Sequence, residues 1–441
     1  MATEATPAPS LAPVSQQERI TLLDSLRGIA ILGILLMNIP LFGLPGPVGN
    51  DPTVLHEQGL NYYLWYWVSW FPEGTQRALF SMLFGAGILL FTGRKESQSG
   101  SVSSLDYFIR RQLWLILFSL FDIYVLLWSG DILLDYACMG LIMVAFRKSS
   151  PKTLLIGAGI CFVLMLAREN RDFYQSKKTI EKGEAVAAVD TTLTKLTENQ
   201  KEELAAMKDF KERNTPEKKV KRMENSIRKV TGSYEETYEY RTNGYVEELV
   251  RYLYFGVWDV LLFMFIGMAF FKLNILTGQA PLSIYWGLCL AGLGGGLTIS
   301  YFRLQSMIDC QFNWFEYTKH VPFQFYELSR TFRSLGIFGF ILLLYKSNVF
   351  GWLFKIMRPV GQMAFTNYLT QSLLCGLFFN GFGWAMYGKA ERMEVYLFMA
   401  AVWIIQISWS NIWLHYFRFG PMEWCWRSLT YWKLQPMRKG E

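Results

Sequence analysis

The side chains with chemistry to offer stand inside apolar stretches, where an ionisable group is costly unless it is paired or used. Asp24 and Arg27 are three residues apart in the first stretch, so a helix presents both on one face, and Asn38 follows roughly three turns later. Asp122 closes another stretch, and Asp131 and Asp135, four apart, open the next. Three carboxyls in one cavity would be desolvated and would repel one another, which tunes at least one of them for general-base work near neutral pH. The structural alternatives are an interfacial Asp24–Arg27 ion pair, Asp131 as a helix cap and Asp135 turned to the headgroups. His56 stands beside Glu57 in a connection that holds no Lys or Arg, as a surface residue or as a base at the mouth of a site.

Other chemistries find little material. Only three histidines are present, and the six cysteines are scattered, with no C-x-x-C and no Cys/His spacing, so neither a metal site nor a disulfide framework is expected. The Gly85-Ala86-Gly87 step and the run Ala291–Gly296 follow no strand, which excludes a phosphate loop and leaves helix-packing grooves. Asp259, Asn367, Gln371 and Asn411 suit hydrogen bonds between helices.

The elements that must position these groups are read from the apolar blocks. The chain has 441 residues, 52% hydrophobic, 17% aromatic and 18% charged, where soluble domains carry about 25% charged. An all-α integral membrane protein follows, with about ten spans near 20–43, 76–93, 107–128, 131–147, 152–167, 250–272, 282–302, 331–349, 361–381 and 394–415. Leu60–Phe71 is too short to cross and is rich in Tyr and Trp, so it reads as an interfacial helix. Lys and Arg in the short connections gather on one side, which places that side and both termini in the cytoplasm.

Residues 168–248 break the pattern with 17 basic and 17 acidic side chains, so the net charge of +7 belongs to the membrane part. That excess fits cytoplasmic loops beside anionic lipid and gives no reason to expect nucleic acid. Leu193, Leu196, Leu204, Met207 and Phe210, then Val220, Met223, Ile227 and Val230, recur at helical spacing on either side of Thr215-Pro216, until Gly232 stops the pattern. A polar extracytoplasmic helical hairpin is expected, packed on itself or on a second copy in a homo-oligomer, with a lid or a docking arm as the alternative. The expected order is a cytoplasmic tail (1–18), N-terminal transmembrane helices (19–167), the insertion (168–248), then C-terminal transmembrane helices and a cytoplasmic tail (249–441).

Five strings in order carry a resemblance: Leu23-Asp24-Ser25-Leu26-Arg27-Gly28 with Met37-Asn38-Ile39, Leu79–Gly87, Trp128–Ala137, Gly361–Ser372 and Phe419–Tyr431. Together they resemble the YeiB-like family of bacterial multi-pass proteins, a domain of unknown function. That family is similar to the transmembrane acyltransferase superfamily, whose members pass an acyl group from cytoplasmic acyl-CoA to an acceptor across the membrane. The superfamily shares the string around Asp24 and Arg27. Its bacterial members typically carry a histidine where this chain has Asn38, and YeiB-like proteins often carry one where it has Asp122.

The resemblance implies an acyltransferase with acyl-CoA as co-substrate, no metal, and an unknown extracytoplasmic or envelope acceptor. Arg27 would grip the cofactor, helped by Arg94, Arg110, Arg111, Arg147 and Lys148. Asn38 would donate to the developing oxyanion, and Asp122 or His56 would take the acceptor proton, with Asp131 or Asp135 orienting or replacing the base. The alternatives are a transporter or flippase of a small metabolite or lipid-linked intermediate, which the lack of a repeat between the two halves disfavours, and a non-catalytic partner of an envelope assembly.

Overall fold

Apolar blocks bounded by Pro, Gly and short polar connections become helices throughout the computed structural model, and no strand occurs among the described residues. These are residues 20–46, 48–98, 101–189, 195–247, 249–250 and 256–439; the side chains of 94–98 and 101–103 are outside the description. The expected cytoplasmic tail, Leu193 and the side chain of Arg94 therefore lie outside the described residues.

The first half contains α1 (Thr21–Gly43), α2 (Gly59–Trp70), α3 (Thr75–Gln98), α4 (Ser101–Tyr124), α5 (Leu133–Met143) and α6 (Pro151–Ala187). The insertion supplies α7 (Glu198–Arg213), α8 (Pro216–Val230) and α9 (Tyr234–Thr242). The second half contains α10 (Val257–Lys272), α11 (Leu282–Asp309), α12 (Trp314–His320), α13 (Tyr326–Ser347), α14 (Gly351–Gln362), α15 (Ala364–Phe379), α16 (Arg392–Tyr416) and α17 (Pro421–Tyr431). Among the described residues six helical stretches are long and apolar enough to cross a membrane: α1, α2 with α3, α6, α11, α13 and α16. The other expected spans are helical but differ in kind. At 11, 16 and 16 residues, α5, α10 and α15 are short, and α4 carries Arg110, Arg111 and Asp122.

Close helix crossings hold the bundle. A Cβ on Gly28 would lie 2.1 Å from the carbonyl oxygen of Met357, and one on Gly361 would lie 1.7 Å from that of Asp24, so α1 and α14 meet backbone to backbone. The two glycine runs do the same, Gly85 against Met264 of α10 and Gly292 against Gly336 of α13. Side-chain amides add the expected polar links: Gln371 donates to the carbonyl of Ile31 and to Gln406, Asn367 to Val360, and Asn411 to Ile356.

The insertion does not close on itself as a two-helix hairpin. α6 runs on through Ala187 beyond its apolar part, and α7 packs back on that extension, with Met207 against Gly183. The inward face of α8 instead covers the connections at one end of the bundle. Lys219 Nζ reaches Asp51 at 2.7 Å and the carbonyl of Phe312 at 2.8 Å, Gly381 N–H donates to Val230, and Ile227 rests on Gly388. From α9, the Tyr234 hydroxyl donates to the carbonyl of Val125 at the far end of α4. This is the insertion end. The opposite, terminal end gathers the start of α1, the end of α14 and α17.

Candidate functional site

Asp122 and Asp131 come together at the junction of α4, α5 and α15. Asp122 lies in the last turn of α4, fully buried, with the Ser372 hydroxyl and the Asp131 carboxyl beside it and no cation among its described neighbours. Asp131 has several: it accepts from the Ser119 hydroxyl, from Tyr368 at 2.9 Å and from the amide of Leu134 at 3.1 Å. The last contact makes it a cap for the start of α5, so capping and proximity to Asp122 coexist in one residue. Asp135 is buried in the first turn of α5, next to Tyr136, whose hydroxyl contacts Ser81 and the carbonyl of Arg77. Asn38 is half-buried on α1, and His56 is exposed in the α1–α2 connection at φ 50°.

A second buried cluster was not foreseen. Asp259 sits between two guanidiniums, its Oδ2 accepting from Arg77 at 2.5 Å and from Arg330 at 3.1 Å. Arg330 also binds Glu327, whose amide faces the carboxylate of Glu169. One turn on, Arg333 is wholly buried and donates to the carbonyls of Ser69, Trp70 and Phe71, capping the C-terminus of α2. Asp259 is thus more than a hydrogen-bonding link: it is the hub of an ion network. The spacing Arg330-x-x-Arg333 was the available signal.

At the terminal end the sequence motifs converge. Arg27 pairs with Asp24 at 2.9 Å, and Gln362 donates to the other oxygen of that carboxylate. Arg111 lies with its guanidinium 3.7 Å from the centre of the Trp426 ring, close enough to Arg27 and Arg427 to feel both charges. Glu423 accepts from the amides of Phe365 and Thr366 and from the Thr366 hydroxyl, which caps α15. Burial pushes its carboxyl up, and those hydrogen bonds hold it back. Arg427, Trp426 and Glu423 belong to a string noted for its resemblance alone; their meeting with Arg27 needed the fold. Arg110 instead pairs with Asp106 on the surface of α4, at 2.8 Å. Arg147 and Lys148 lie in the turn between α5 and α6, whose carbonyls take hydrogen bonds from Lys272. Among the described residues no cluster of His, Cys, Asp and Glu could hold a metal ion.

Residues 270–433 match the family described as "Protein of unknown function (DUF418)". The chain is 29% identical to "Uncharacterized protein YeiB" of Escherichia coli (strain K12), over 94% of this chain and 96% of that protein. The chain is thus similar to the YeiB-like family that its motifs resemble. It is also 28% identical to "Uncharacterized protein YxaH" of Bacillus subtilis (strain 168), over 98% of both chains. A 39.9 kDa protein from the amylase 3' region of Bacillus acidopullulyticus is 25% identical over 95% of this chain and 96% of its own length. No solved structure matches.

Proposed function

We propose that this YeiB-like protein is a membrane-bound acyltransferase of the bacterial inner membrane. In this reading the terminal end faces the cytoplasm and receives acyl-CoA, and the insertion end faces the acceptor. The single observation that carries the reading is Asp122: a fully buried carboxyl with no cation among its described neighbours, with Ser372 and Asp131 beside it. Such a group gains little by being structural and is suited to taking up a proton.

The phosphates of CoA would meet Arg27, Arg111 and Arg427, where guanidiniums offer paired N–H donors to phosphate. Asp122 would remove the proton from an acceptor hydroxyl or amine as that atom bonds to the acyl carbon. The carbon–sulfur bond of the thioester then breaks, and the released thiolate takes a proton. Asn38, one amide on α1, would donate to the oxyanion. Asp131, held by Ser119, Tyr368 and Leu134, orients its neighbour. His56 remains a candidate base only if the acceptor approaches from the α1–α2 connection.

The test is a transfer assay on purified protein with radiolabelled acetyl-CoA and longer acyl-CoAs. Binding, with slow hydrolysis in the absence of acceptor, is expected. Protein that neither binds nor hydrolyses any of them overturns the reading, and uptake into vesicles driven by a proton gradient would replace it with transport.

A further inference from the structure

A cavity of about 870 Å³ opens at the insertion end, between the last turns of α11, α12 and the 321–325 connection. That volume is in the range of sites for small ligands. Its wall is aromatic: Phe302, Phe323 and Phe325 line it and are 65%, 59% and 46% exposed. Phe302 stands near the C-terminal end of α11 on the part of the helix that is turned away from the bundle. A chain-bearing ligand could thus place its polar part in the cavity and its first methylenes over these rings.

The charged groups of the cavity are arranged by depth. Arg303 is the inner one, with its side chain 16% exposed. Its guanidinium donates to Glu73 at 3.1 Å and lies 5.0 Å from the centre of the Tyr326 ring, while its buried Nε–H has no acceptor. Asp309, which is exposed, and Glu316, which is half-buried, lie toward the rim with His320. One inner cation and two outer carboxylates do not favour a simple anion, because the rim would repel it. They complement a zwitterion whose negative group goes in first.

We infer that this cavity binds the headgroup of a phosphoethanolamine lipid drawn sideways from the surrounding leaflet. The phosphate meets the guanidinium of Arg303, which lines the inner part of the cavity beside Glu73. The ammonium, with three donors, meets Glu316 and Asp309, and the first methylenes of the chains lie over Phe302, Phe323 and Phe325. A choline headgroup has no N–H to give those carboxylates, and a glycerol headgroup brings no positive charge to them. The inference is independent of acyl transfer.

The experiment reconstitutes the full chain in nanodiscs holding equal amounts of phosphatidylethanolamine, phosphatidylglycerol and phosphatidylcholine with identical chains. The lipids retained after transfer to detergent are then counted by native mass spectrometry. Preferential retention of phosphatidylethanolamine is expected. Asp309→Asn with Glu316→Gln, both accessible positions, should reduce that preference over phosphatidylcholine by about tenfold, the scale of charge-assisted hydrogen bonds. Phe323→Ala should lower retention of all three without changing their order. Equal retention of the three lipids, a preference for phosphatidylglycerol, or a phosphatidylethanolamine preference untouched by the carboxylate variants would each overturn the inference. No acyl-CoA is present, so the outcome is separate from that of the transfer assay.

Discussion

Asp122 and Asp259 are both buried carboxyls in apolar helices, and their surroundings are opposite. Asp259 lies between Arg77 and Arg330 in a network that continues to Glu327 and Glu169, whereas Asp122 faces another carboxyl and a serine, with no cation among its described neighbours. A carboxylate between two guanidiniums is fixed in its charged state and ties three helices together; one without a cation is free to change its protonation state. Burial alone therefore does not mark a functional carboxyl. What decides is whether the site has already supplied the counter-charge.

The same substitution at the two positions should separate these roles. Asp122→Asn removes the proposed base and is expected to lower transfer by about 10²- to 10⁴-fold while acyl-CoA binding is kept. Its thermal stability should hold or rise, since Asp131 loses a like-charged neighbour. Asp259→Asn removes the carboxylate shared by the buried Arg330 and the half-exposed Arg77 and should cost roughly 3–5 kcal/mol, read as a lowered unfolding midpoint in detergent. If Asp122→Asn destabilised as much as Asp259→Asn and transferred normally, the contrast would fail, and Asp122 would be structural.

The lid over the insertion end extends the comparison to an ion pair between elements. Lys219 and Asp51 have side chains 11% and 12% exposed, and the same ammonium also serves the carbonyl of Phe312. Lys219→Met strands Asp51 and should cost α8 about 3 kcal/mol of protection. Hydrogen exchange across Pro216–Val230 should accelerate while α10 and α13 stay protected. Uniform acceleration through the bundle would mean that the insertion is part of the core and not a separable cover.

Much of this was readable in the chain. The stripe Val220, Met223, Ile227 and Val230, with its stop at Gly232, turned out to be the inward face of α8, because helical spacing reports which face is apolar. Spacing does not report what covers that face, and the cover is a set of connections distant in sequence, with Asp51 168 residues before Lys219, Phe312 93 residues after it, and Gly381 beyond. The meeting of Asp122 and Asp131 was also legible, since a short connection joins their helices. Tyr368 and Ser372 were not, being brought in from α15. Arg77 and Arg330 escaped because they stand at the ends of apolar blocks, where a span drawn by hydropathy stops at the charge or treats it as interfacial.

The terminal end gives the finest version of the contrast, between adjacent residues of one helix. Arg111 is turned inward onto Trp426 and toward Arg27 and Arg427, while Arg110 is 41% exposed and bound to Asp106 four residues earlier. If the guanidiniums grip CoA phosphates by geometry, Arg427→Gln should weaken acyl-CoA binding by about tenfold, the scale of one charge-assisted hydrogen bond. Arg110→Gln should leave binding unchanged and cost no more than about 0.5 kcal/mol of stability, the usual size of an exposed i,i+4 pair. Titration of CoA by calorimetry at low and at physiological salt decides between grip and field. Equal losses for the two variants that vanish as salt is raised would mean that the cluster acts only through its summed charge, since a long-range field is screened within about 8 Å at physiological ionic strength. A loss confined to Arg427→Gln that survives the salt would instead require contact, and would make the convergence of the first and last motifs at Arg111 the floor of a binding site.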